Sequence, residues 1–145
     1  MSEHTYLVAV DGSEWGNRAV DQAVMMAKIS GAAVRLITVV PWSSNIKPMA
    51  VDNAAHRRID RDEEPEIRNR IFKPILERHE NSGVELSSEV HWGDPVDTIN
   101  ERVRANTVTH VFAGRRGRSR VADLVVGSVA NSLAHTVDKP IVLVP

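Results

Sequence analysis

The stretch YLVAVDGSEWGNRAVDQAVMMAKISGAAVRLITVV, residues 6–40, decides the fold. It opens on an apolar run, YLVAV (6–10), of strand length and followed at once by the turn residues DGS. Beyond the turn, Ala19, Val20, Ala23, Val24 and Ala27 recur at helical spacing, with Ser13 placed to cap the helix and Gly31 to stop it. VRLITVV (34–40) then repeats the strand pattern. Neither run carries an alternating polar face, as expected of strands covered on both sides in a parallel sheet.

The same alternation continues along the chain. Strand-like runs appear at VELSSEV (84–90), THVFA (109–113) and PIVLV (140–144). The first of these alternates, which suits a strand near a sheet edge, and the last is expected at an edge as well. Helical patterns fill the gaps: residues 66–80 with Ile67, Ile71, Ile75 and Leu76, then a helix capped by Asp94 with Pro95 at its first position, then residues 128–137. Pro74 lies inside the first of these and is expected to kink or shorten it. Strand and helix alternating five times predict an α/β fold, a single-domain open five-stranded parallel sheet over residues 1–145 with right-handed crossovers. The segment 41–64 is long for such a connection and reads as a lid, an interaction surface or a disordered tip.

Composition narrows the function. The chain has 145 residues, 42% of them hydrophobic and 26% charged, and a net charge of -1, which argues against a dedicated nucleic-acid binder. There is no cysteine, so disulfides and thiolate chemistry are excluded. No apolar run reaches the length of a signal peptide or membrane span, and the expectation is a cytoplasmic protein without membrane insertion. GxGxxG, GxxxxGK[ST] and GxSxG are all absent, and the six histidines form no HxH, HExxH or i,i+4 pair. No metal site is expected.

What remains is glycine placement. VAVDGS follows the first strand and FAGRRG the fourth, and in an open α/β sheet ligands sit beyond the C-terminal strand ends. Gly114 and Gly117 would let backbone N–H groups approach an anion, and Gly127-Ser128 opens a helix whose N-terminus favours negative charge. Spacing alone leaves two readings open, a phosphate cradle or a plain strand-to-helix turn. Asp11 is likewise either a partner for ribose or Mg²⁺, or a turn-capping aspartate.

The spacing Gly114-x2-Gly117-x9-Gly127-Ser128, with VAVDGSEWGNRAVDQAV at the start and GSVANSLAHTVDKPIVLVP at the end, resembles the ATP-binding branch of the universal stress protein family. The likeness spans essentially the whole chain. It implies strand order 3-2-1-4-5 with helices on both faces, and ATP held across strands one and four. It implies Asp11 beside the nucleotide with Ala9 and Val10, and an adenine contact near Val39. Ala113, Gly114, Gly117 and Arg118 would line ribose and phosphates, while Gly127, Ser128 and Val129 would cap the phosphate tail. Arg115 and Arg116 depart from the small residue common after the first glycine; Arg115 is expected in solvent, with Arg116 and Arg118 left open. The resemblance further implies a homodimer through the C-terminal strand, with its axis near Val142. The resulting expectation is a nucleotide-binding stress-response regulator, with a regulatory protein as a further partner. ATP is its cofactor, Mg²⁺ being held mainly by the phosphates. It is not an enzyme beyond slow hydrolysis. A nucleotide-free interaction module and a slow ATPase are the alternatives.

Overall fold

The computed structural model describes residues 3–41, 63–117 and 127–145. Five parallel strands form one sheet: β1 (Thr5–Ala9), β2 (Ala33–Val40), β3 (Leu86–Trp92), β4 (Val108–Gly114) and β5 (Ile141–Val144). Their order across the sheet is β3-β2-β1-β4-β5, as the resemblance implied. The order reverses between β1 and β4, which opens a crevice at the C-terminal ends of those two strands.

Burial alternates along β1 as the pleat requires. Tyr6, Val8 and Val10 face a core cluster built with helix α1 (Glu14–Ser30), whereas Leu7 and Ala9 face a second cluster. Helix α2, residues 63–78, covers the first face beside α1 through Ile67, Ile71, Phe72 and Ile75. Helices α3 (Pro95–Ala105) and α4 (Ser128–Thr136) cover the other, where Ile99, Val103 and Leu133 pack against Leu7, Ile37 and Val111. Both faces of β1 are therefore dry, which explains its unbroken apolar sequence.

The caps follow the sequence closely. Ser13 Oγ accepts from the Gly16 N–H at 3.3 Å, and Asp94 Oδ1 accepts from the Asp97 N–H at 2.9 Å. Gly31 ends α1 at φ 80, in the left-handed conformation that glycine adopts without steric cost.

Two elements differ from expectation. Strand β3 runs two residues later than the 84–90 read from alternation, pairing Val34 with Leu86 and Val40 with Trp92. Val84 still packs on the core, but it does so before the ladder begins, and the strand continues through Trp92, whose side chain joins the same core. Pro74 neither ends nor shortens α2. The helix widens to π geometry over Arg68–Phe72, with the Lys73 N–H donating to the Arg68 carbonyl, and resumes as α-helix over Lys73–Arg78. Of the 41–64 segment, residues 42–62 lie outside the described residues. Among those described, no helix is long and apolar enough to cross a membrane.

Candidate functional site

A cavity of about 420 Å³ opens where β1, β2 and β4 end. Its floor is the sheet itself: Ala9, Val10 and Asp11 after β1, Val39 and Val40 at the end of β2, and Ala113 and Gly114 of β4. Gly117, Gly127, Ser128 and Val129 close one side. Ten of the eleven sequence-predicted positions thus border a single space; the eleventh, Arg118, lies outside the described residues.

Asp11 is held by the turn it starts. The Ser13 N–H donates to Asp11 Oδ1 at 2.9 Å, and Gly12 completes the turn at φ 85. The other carboxylate oxygen lies toward Gly117, 3.1 Å from where a Cβ on that glycine would sit. Asp11 is therefore both the turn cap and a cavity wall, and the two readings of this residue are compatible.

The loop after β4 is fixed at both ends. The Arg115 N–H donates to the Val144 carbonyl and the Gly127 N–H to the Arg115 carbonyl, each at 2.7 Å. Gly127, not Ser128, is the N-cap of α4, and no side chain caps this helix. The first intrahelical bond runs from the Asn131 N–H to the Gly127 carbonyl at 2.8 Å. The N–H groups of Ser128, Val129 and Ala130 consequently have no acceptor within the helix, and all three residues line the cavity. The positive end of a helix faces this space.

The three loop glycines serve different ends. A Cβ at Gly114 would stand 2.7 Å from the Cβ of Trp15, so this position is small because β4 passes directly under the start of α1. A Cβ at Gly127 would meet the Gly117 nitrogen at 3.3 Å and press the two loop arms apart. At Gly117 a Cβ would meet, among the described residues, the Asp11 carboxylate at 3.1 Å, so its backbone is the most open of the three. Neither Gly117 nor Gly127 has a positive φ; Gly127 sits at φ -62.

Among the described residues, the charged side chains of the cavity wall are Asp11, Arg70 and Arg116. Arg115 is exposed, as expected, whereas Arg116 is half-buried, and its Nε has no hydrogen-bond partner among the described residues. Arg70 and Ile71 of α2, and Pro95 and Ile99 of α3, are wall residues that sequence reasoning missed. Ile71 and Ile99 look in sequence like any other core position on an amphipathic helix, and only the crossover geometry shows that they sit at its upper rim. Among the described residues, no group of three His, Cys, Asp or Glu side chains stands close enough to cage a metal ion.

With this geometry in view, the likeness to known proteins can be stated. A model of the universal stress protein family matches residues 4–145. Universal stress protein YxiE of Bacillus subtilis (strain 168) is 28% identical over 149 residues, an alignment that covers 95% of this chain and 96% of that protein. The fold superposes on universal stress protein UspA from Lactobacillus plantarum with a TM-score of 0.76 at 21% identity, covering 100% of this chain and 99% of that one. A universal stress protein from Archaeoglobus fulgidus in complex with dAMP gives 0.67 at 18% identity with complete coverage of both chains. Another universal stress protein, in complex with cAMP, gives 0.64 at 23% identity, covering 100% of this chain and 98% of that one.

Proposed function

Because this chain belongs to the universal stress protein family, we propose that its cavity binds an adenine nucleotide, ATP with Mg²⁺, and that occupancy regulates the contacts the protein makes with itself or a partner. The observation that carries this reading is the uncapped first turn of α4, whose Ser128, Val129 and Ala130 border the same cavity as Asp11, Arg70 and Arg116. Backbone N–H groups and a guanidinium converging on one space suit a phosphate. Toward β2 the wall turns apolar with Ile37, Val39 and Pro41, which suits a purine. Two structural relatives hold adenine nucleotides, dAMP in one and cAMP in the other, and they support the choice of base.

The residues fit this ligand. Ser128, Val129 and Ala130 would donate to phosphate oxygens through their N–H groups, with Arg116 opposite them. Asp11 would accept from a ribose hydroxyl or face the magnesium ion, which the phosphates would mainly hold. Bound Mg²⁺ would neutralise phosphate charge. Among the described residues, Asp11 is the wall side chain with the character of a general base, and we read the protein as a binder with hydrolysis at most slow.

Equilibrium titration with ATP·Mg²⁺ tests this directly. The wild-type chain should bind, and Arg116→Ala should bind about 10- to 100-fold more weakly, the usual loss for a hydrogen bond to a charged group. Gly127→Val should abolish binding by forcing the loop off α4. A wild-type protein that takes up neither ATP nor AMP would leave the fold as an interaction module only. Single-turnover incubation with labelled ATP over many hours should yield little ADP; rapid release would make it an enzyme.

A further inference from the structure

The widened turn of α2 lies where it shapes the cavity. Arg70 and Ile71, both on the cavity wall, are the third and fourth residues of the π-helical stretch Arg68–Phe72. The cause of that stretch is three residues further on. Pro74 has no N–H to give the carbonyl of Arg70, four positions back, and in an α-helix its ring would press on that same carbonyl. Opening the preceding turn relieves both problems while keeping the helix intact, and single π turns of this kind recur at ligand sites. The extra residue in the turn advances the chain just before Pro74. It leaves Ile71 against the β1–α1 turn, where its Cγ1 would lie 3.6 Å from a Cβ on Gly12, beside Asp11. Arg70 enters the wall with it. Its other engagement is loose: its guanidinium lies 3.8 Å from the Glu66 carboxylate, and both side chains are more than half exposed.

We infer that Pro74 is a positioning residue for the ligand site. It imposes the π turn that seats Arg70 and Ile71 in the cavity wall, making Arg70 a second cation, after Arg116, for the anionic part of a bound nucleotide. The role of Arg70 rests on the nucleotide reading above; the role of Pro74 in setting the wall does not. An alanine at 74 restores the missing donor and removes the ring, so the helix should close to regular α geometry and rotate Arg70 away from its place.

Two measurements separate the parts. Backbone amide NMR of ligand-free Pro74→Ala should retain a dispersed spectrum, with large shifts at residues 68–72 and smaller ones at Gly12 and Asp11. ATP·Mg²⁺ titration should show about a tenfold loss for Arg70→Ala, a loss for Pro74→Ala of no more than that, and no further loss when the two are combined. Unchanged amide shifts at 68–72 would overturn the role of Pro74. Equal losses from Pro74→Ala in the wild-type and Arg70→Ala backgrounds would show that it does not act through Arg70, and overturn the coupling. If the wild-type protein binds neither ATP nor AMP, the nucleotide reading and the Arg70 role fail together, and the amide shifts alone decide whether Pro74 sets the wall.

Discussion

Asp11 presents its two carboxylate oxygens to different surroundings, one to the β1–α1 turn and the other to the cavity beside Gly117. Its Oδ1 accepts the Ser13 N–H at 2.9 Å, and Ser13 in turn caps α1. Removing the carboxylate altogether would loosen that whole entry to the helix, at about 1 kcal/mol for a lost cap of this kind. Asparagine is the informative substitution, because its amide oxygen can keep the turn bond while the charge is gone. Asp11→Asn should therefore melt within a degree or two of wild type in thermal denaturation, yet bind ATP·Mg²⁺ several-fold more weakly. Asp11→Ala should lose on both counts. If Asp11→Asn binds as wild type, the carboxylate is a turn cap and nothing more. Gly114 carries the opposite lesson. Its position in a glycine pattern pointed to ligand approach, but a Cβ there would stand 2.7 Å from the Trp15 Cβ, a packing constraint that no spacing rule encodes.

At the level of elements, α3 is tied to the edge strand β3 by one buried-side ion pair. Arg102 Nε and a terminal guanidinium nitrogen reach the two oxygens of Glu89 at 2.9 and 3.3 Å, and His91 Nε2 stands 3.2 Å from the same carboxylate. Burial by itself pushes the Glu89 carboxyl upward, but the hydrogen bonds and charge of Arg102, helped by His91, outweigh it and hold the group below the ordinary carboxylate range. A depressed carboxyl stabilises the fold above its unfolded pKa and loses that contribution as pH falls through the folded value. Arg102→Ala should cost about 1 kcal/mol at pH 7, a modest figure because the guanidinium is one-third exposed. In urea titrations across acidic pH the gap between variant and wild type should close below the ordinary carboxylate pKa, near 4. A gap that stays constant to pH 2 would mean that Arg102 acts by packing rather than charge.

How much of these elements was legible follows from what each one answers to. Strand β1, helix α1 and both polar caps obey local rules, so Tyr6–Val10, Ser13 and Gly31 could be read directly. The start of β3 could not, because its register is chosen by β2, and the alternation of Val84, Leu86, Ser88 and Val90 runs smoothly through the point where pairing begins. Pro74 inside a helix is expected to kink or shorten it, because the usual response to a proline is local. Here Ile71 and Ile75 anchor the helix on both sides of it, each at most 5% exposed, and widening one turn keeps both buried. The cavity floor was legible because strand ends and glycines mark it. Arg70 was not, since nothing in EIRNRIFKP distinguishes an arginine at a cavity wall from any other exposed one.

For the molecule as a whole, the open question is what meets the free edge of β5. This strand pairs with β4 alone, Phe112 lying opposite Val142. The Val111 N–H donates to the Pro140 carbonyl at 2.9 Å and the Arg115 N–H to the Val144 carbonyl at 2.7 Å. Backbone groups alternate sides along a strand, so Pro140, Val142 and Val144 turn theirs toward β4, while Ile141 and Leu143 turn theirs outward. An apolar edge with unpaired N–H groups invites a second copy, and a two-fold axis through it would pair β5 with itself across the interface. The alternation moves the decisive test from Val142, whose N–H belongs to the internal ladder, to Leu143. Proline there removes an outward donor and leaves the β4 pairing whole. Wild type should sediment as a dimer and Leu143→Pro as a monomer, with unchanged far-ultraviolet circular dichroism. Val142→Pro should instead weaken the fold itself. If Leu143→Pro remains dimeric, the copies meet through some other surface, and the β5 edge is left to a different partner.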